Sequence, residues 1–177
     1  GKVVGEYIAR DLKAKAVAII DDRTAYGQGV ADVVEKAAKA AGANIVAREF
    51  TTDKSTDFKA ILTKIRGRKP DVIFFGGIDT QAGPMLQQMK GLGIKAQFVG
   101  ADGIQSSELF KLGGDAVEGT LASFPGLPID KMENGKGFNE RYKAKFNQDV
   151  VLYAPQGYDA FNVFVDAMKR AGGVESA

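Results

Sequence analysis

Apolar runs short enough for β-strands alternate with longer amphipathic stretches through residues 1–124, and that alternation constrains the fold more than any motif does. Residues 15–22 (KAVAIIDD) read as a strand ending in two acids. Residues 26–41 follow as a helix with Val30, Val33, Val34, Ala37 and Ala41 on one face and Gly42 as its stop. Residues 44–51 (NIVAREFT) are a second strand, and residues 57–66 a helix striped by Phe58, Ile61, Leu62 and Ile65, with Thr56 or Asp57 as its cap. Residues 71–77 (DVIFFGG) are apolar on both faces, as in a strand covered by helices on both sides. A helix over 80–92, carrying Met85, Leu86, Met89 and Leu92, stops at Gly93. A fourth strand over 97–102 (QFVGAD), a short helix over 106–112 and a fifth strand over 119–124 (GTLASF) complete the series, and a helix over 3–12 precedes it. This order predicts an α/β fold: a doubly wound, mostly parallel five-stranded sheet with helices on both faces.

After Phe124 the texture changes. Residues 125–137 (PGLPIDKMENGKG) read as a linker, followed by helices over 138–146 and 155–171 with no strand between or after them. The predicted division is therefore residues 1–125 and residues 126–177. Phe161, Phe164, Val165 and Met168 form a stripe that needs something to pack on, and an uncovered face of this kind marks an association site.

Composition excludes several function classes. Lys and Arg number 24 against 22 Asp and Glu, a net charge of +2, so no single-sign field exists to attract nucleic acid or an anionic membrane. The chain has no Cys and no His. That removes disulfides, thiolate nucleophiles, the usual base of a Ser or Cys triad and the commonest metal ligand, while carboxylate-based hydrolysis and all-oxygen metal sites remain open. No apolar run approaches the roughly 20 residues of a membrane span. No GxSxG or GxxxxGK[ST] motif occurs. The expectation is a binding protein, not an enzyme, without cofactor or metal.

In an open parallel sheet, ligands bind outside the carboxyl ends of the strands. Asp102 follows the fourth strand directly. It reads equally as a carboxylate for a ligand cation and as a turn or cap residue for the helix from Ser106. Tyr26, before Gly27-Gln28-Gly29, reads as a rim tyrosine that covers a ligand's apolar part or as a simple staple of the helix start. The two glycines invite a dinucleotide reading, but the intervening residues after the strand and Asp32 at the third position oppose it. Asp21 and Asp22 read as solvated strand-end acids, and the basic cluster Lys64 to Lys69 as a solvated helix C-terminus.

Four stretches carry a family resemblance: residues 18–77 (AIIDDRTAYGQG through KPDVIFFGG), 80–103 (TQAGPMLQQMKGLGIKAQFVGADG), 114–125 (GDAVEGTLASFP) and 153–172 (YAPQGYDAFNVFVDAMKRAG). Together they resemble the second lobe of type I periplasmic solute-binding proteins, and within these the branched-chain amino acid (Leu/Ile/Val)-binding family of ABC importers. The resemblance implies two α/β lobes that close on a ligand, a periplasmic location and an ABC permease as membrane partner. It implies that Asp102 receives the ammonium group of an amino acid, that Tyr26 and Tyr153 are cleft tyrosines, and that Ile78 stands where leucine-binding members carry a tyrosine. It also implies that whole members are longer, with a first lobe that holds the ligand carboxylate and against which residues 126–177 pack. Two other functions stay open at this point: a nucleotide- or sugar-phosphate-using α/β enzyme, with its anion at the helix start by Gly27 to Gly29, and a ligand-sensing regulatory domain of the same fold.

Overall fold

The computed structural model describes residues 1–150 and 153–174. It forms two compact units, Gly1–Pro125 and Gly126–Ala177.

In the first unit, α1 (Lys2–Arg10), β1 (Ala16–Asp21), α2 (Ala25–Ala40), β2 (Asn44–Phe50), α3 (Lys59–Arg66), β3 (Val72–Gly76), α4 (Asp79–Gly91), β4 (Gln97–Gly100), α5 (Ser107–Gly113) and β5 (Leu121–Ala122) follow one another. The strands make one sheet in the order β2-β1-β3-β4-β5, every neighbouring pair parallel. The chain leaves β1 toward β2 on one side and builds β3, β4 and β5 on the other. The order therefore reverses between β1 and β3, and a doubly wound sheet places its ligand crevice at such a switch point.

Period-two alternation sorts the strand side chains into two cores. Ala18 and Ile20 of β1 and Ile73 and Phe75 of β3 face Phe58, Leu62, Ile65, Met85 and Met89 from α3 and α4 and the residue before them. Val17, Ile19, Val72 and Phe74 face Val4 and Ile8 of α1 and Ala31, Val34 and Ala38 of α2. All five residues of β3 are buried, as its two-sided apolar run predicts. At the opposite edge from the switch-point loops, Asp71 Oδ2 accepts from the backbone N–H groups of Lys15 and Ala16, each at 2.9 Å, and ties the start of β3 to the start of β1.

Local boundaries depart from the sequence expectation in informative ways. Val33 is 47% exposed; the face of α2 that packs is Gly27, Ala31, Val34, Ala37 and Ala38, shifted toward the small residues that let the helix lie close. The helix expected from residue 57 begins at Lys59, capped by Phe58 without a side-chain bond. Asp57 Oδ1 still accepts from Lys59 N at 3.1 Å, but burial of the Phe58 ring and donation of its N–H to Gln88 Oε1 at 2.7 Å set the start. The fourth strand ends at Gly100, two residues before Asp102, and the fifth shrinks to Leu121–Ala122 because Gly119 turns with φ of +77° and Thr120 N bonds back to Val117 O.

The second unit holds α6 (Gly135–Phe146) and α7 (Ala154–Ala171), with no strand among its described residues. Phe138 stacks on Tyr142 and meets Tyr158 of α7 edge-on, with centroids 6.1 and 5.4 Å apart, so aromatic contact joins the two helices. Phe161 and Phe164 are 66% and 65% exposed. Val165, expected to be equally open, is half-buried, while Val163, 67% exposed, adds to the open surface.

Candidate functional site

The carboxyl edge of the sheet is built from the turns after β1, β3 and β4, and each is fixed by a different local device. After β1, Asp22 accepts from Thr24 N at 3.0 Å and from Thr24 Oγ1 at 2.6 Å, and Thr24 Oγ1 in turn accepts from Gly27 N at 2.9 Å as the N-cap of α2. Asp21 accepts from Arg23 N at 2.9 Å and forms an ion pair with Arg48 of β2. Arg48 also reaches Asp32 at 2.8 Å and Glu35 at 3.2 Å. Burial opposes the charge on the Arg48 guanidinium, but Asp32 and Asp21 outweigh it and hold the group above its ordinary pKa.

This corrects the expectation that Asp21 and Asp22 are solvated: they are 2% and 3% exposed. Carboxylates survive there because backbone amides, a hydroxyl and a guanidinium satisfy them. Asp22 also holds the α2 N-cap residue, Thr24, and lies against the first turn of the helix. A Cβ at Gly27 would collide with its Oδ1 and with the carbonyl of Gly76, so helix and strand approach only because both positions are glycine. A helix start already filled by a buried carboxylate does not offer the anion pocket that a nucleotide needs.

After β3, Gln81 is the organiser that sequence reasoning missed. It is 1% exposed; its amide donates to Thr52 O at 2.6 Å and its Oε1 accepts from Ile78 N at 3.4 Å. A polar residue on the apolar side of a helical stripe was the available signal. Ile78 occupies the N-cap position of α4 and is 40% exposed. Next to it, Asp79 accepts from Ser106 Oγ, the residue whose hydroxyl caps α5 by accepting from the N–H groups of Glu108 and Leu109.

After β4, Asp102 opens the 3-10 turn Asp102–Ile104. It does not cap α5; Ser106 does. Its carboxylate instead meets Tyr26: the phenol donates to Asp102 Oδ1 at 2.9 Å and accepts from Gly103 N at 3.0 Å. Burial pushes the Tyr26 phenol up to about 12, opposed by the Gly103 N–H and reinforced by the bond to Asp102 and the charges of Asp102 and Asp22. Tyr26 is 40% exposed, so its ring also reaches the surface. A Cβ added to Gly103 would lie 2.8 Å from Gly77 O and 3.1 Å from Tyr26 Oη, which shows how tightly the three turns converge.

Of the four residues singled out from sequence, Tyr26 and Asp102 are thus bonded to each other, and Ile78 follows the turn that abuts Gly103. Tyr153 lies in the second unit as the N-cap of α7 and is 44% exposed. Among the described residues no cluster of acids is placed to hold a metal ion. No described helix is long and apolar enough to cross a membrane.

The doubly wound sheet brings a carboxylate and a tyrosine together at its carboxyl edge, and the chain belongs to the periplasmic binding protein family, whose profile matches residues 1–177. Among its relatives, the Leu/Ile/Val-binding protein homolog 1 of Brucella suis is 35% identical over 97% of this chain and 46% of its own length. The leucine-, isoleucine-, valine-, threonine- and alanine-binding protein of Pseudomonas aeruginosa is 31% identical over the same shares. Of solved structures, the leucine binding protein LivK of Thermotoga maritima superposes with a TM-score of 0.86 at 28% identity, over 97% of this chain and 49% of that one. The branched-chain amino acid transporter substrate binding protein LivJ of Streptococcus pneumoniae, in complex with isoleucine, gives 0.78 at 27% identity, over 94% and 48%. The chain spans about half the length of the relatives it matches.

Proposed function

We propose that this chain forms one wall of a cleft that binds a branched-chain or related amino acid, in a periplasmic protein that hands its solute to an ABC permease and performs no catalysis. The observation that carries the proposal is the Asp102 carboxylate held at the carboxyl edge beside the switch point. It stands in a chain that matches Leu/Ile/Val-binding relatives over 97% of its length. In this reading Asp102 receives the ligand's ammonium group through a charge-assisted hydrogen bond, the Tyr26 ring and Ile78 cover its aliphatic part, and Tyr153 is a further ligand-contacting tyrosine of the full-length protein. Closure follows because the ligand favours the state in which both walls touch it. The exposed Phe161, Val163 and Phe164 form the surface through which separate 177-residue copies associate.

The test is a thermal-shift panel of amino acids, amides, aromatic acids, nucleotides and sugar phosphates on the full-length protein. A ligand at 100 times its Kd adds about 2.7 kcal/mol of stability and raises Tm accordingly. The expected result is a rise with leucine, isoleucine or valine and none with nucleotides. A rise with nucleotides or sugar phosphates alone overturns the proposal.

A further inference from the structure

Tyr26 Oη makes two contacts of opposite sense, and the pair fixes where its proton points. Gly103 N–H can only donate, so the phenol oxygen accepts from it at 3.0 Å, and the single phenolic proton goes to Asp102 Oδ1 at 2.9 Å. The base of the phenol is anchored on the first turn of α2, which Thr24 and Asp22 hold. The tip thereby bridges α2 to the turn after β4.

We propose that the Tyr26 hydroxyl is a positioning residue that acts on the ligand through Asp102, holding that carboxylate in place for a cationic group, rather than by touching the ligand itself. The proposal rests on the amino-acid reading above. A proton committed to a carboxylate is not available to a ligand carboxylate or carbonyl. This wall therefore presents an acceptor and no competing donor from Tyr26, and it selects an amine over the same molecule without one. A carboxylate has roughly four acceptor positions, so the bond from the phenol does not by itself exclude an ammonium group. A phenol keeps its proton across the physiological range, and burial displaces the titration of this one further upward. Gly103 is part of the device: with a Cβ 2.8 Å from Gly77 O and 3.1 Å from Tyr26 Oη, any larger residue must displace the turn or the hydroxyl.

The experiment combines two readouts on the full-length protein. Without ligand, amide hydrogen exchange at Gly103 is compared between wild type and Tyr26→Phe; loss of the acceptor accelerates exchange by about tenfold. Calorimetric titration with L-leucine and with 4-methylpentanoate, its deaminated analogue, is then run on wild type, Tyr26→Phe, Asp102→Asn, the double variant and Gly103→Ala. Tyr26→Phe and Gly103→Ala each weaken leucine binding by about five- to tenfold, leave the analogue unaffected, and Tyr26→Phe costs nothing further in the Asp102→Asn background. An equal loss from Tyr26→Phe in both backgrounds means the hydroxyl touches the ligand and overturns the proposal. Unchanged Gly103 exchange in Tyr26→Phe overturns the hydrogen-bond relay itself. Equal leucine binding by wild type and Asp102→Asn removes the ammonium reading and the proposal with it, while accelerated Gly103 exchange would still record the bond, so the two failures are distinguished.

Discussion

Tyr26 and Asp102 stand 76 positions apart in the sequence, yet phenol and carboxylate meet at 2.9 Å across the turns that follow β1 and β4. β3 lies between those strands in the sheet, so the contact bridges a whole strand. The Gly77 turn of β3 passes close beneath it, against Gly103. The parallel sheet thus gathers three loops from distant parts of the chain into one edge, where phenol, carboxylate and the Gly103 amide converge.

The phenol should titrate late. With its pKa raised from 10.0 to about 12, mainly by burial, Tyr26 contributes stability that is fully present below about pH 10 and is lost as pH rises toward 12. Absorbance at 295 nm followed against pH should show a phenolate phase near pH 12, and Tyr26→Phe should remove that phase. A titration that Tyr26→Phe leaves unchanged would contradict the geometry.

Asp102→Ala in the full-length protein should weaken binding of a branched-chain amino acid by more than about tenfold, the loss of one charge-assisted hydrogen bond worth about 1.5–3 kcal/mol. Isothermal titration reads this directly. Full retained affinity would end the ammonium role.

Arg48 compensates a carboxylate that water barely reaches, since Asp21 is 2% exposed. Arg48→Met strands that charge and should cost about 3 kcal/mol in urea unfolding. Asp32 is an exposed partner of the same guanidinium, and Asp32→Ala should cost less than about 1 kcal/mol. Equal costs for the two would show that the pair with Asp21 is not the one that matters.

Phe161 and Phe164 are 66% and 65% exposed. In sedimentation velocity the 177-residue chain should associate as concentration rises, and the double substitution Phe161→Asp with Phe164→Asp should give a monomer with an unchanged circular dichroism spectrum. A wild-type chain that stays monomeric throughout would remove the association surface.

Strand identity, parallel pairing and the doubly wound order were legible because β1 and β3 are apolar on both faces and the intervening helices are striped. Asp102 and Tyr26 were legible as residues past strand ends, but not as a bonded pair, because nothing local encodes a contact made through three loops. The burial of Asp21 and Asp22 was hidden for a similar reason: Asp21 is met by Arg48 of the neighbouring strand, and Asp22 is enclosed by Thr24 and the first turn of α2. Gln81 escaped notice because its partners, Thr52 and Ile78, lie on two different turns. The shift of the α2 packing face away from Val33 follows from backbone proximity, which Gly27 and Gly76 permit and periodicity alone does not reveal.

The two flanks of the sheet bear on how safely such a chain can exist in isolation. β5 contributes only Leu121 and Ala122, too brief a ladder to template a foreign strand. β2, on the other flank, carries Arg48 and Glu49, both engaged in ion pairs. Misassembly into cross-β fibrils therefore finds no long, flat, uncharged rim here on which to begin.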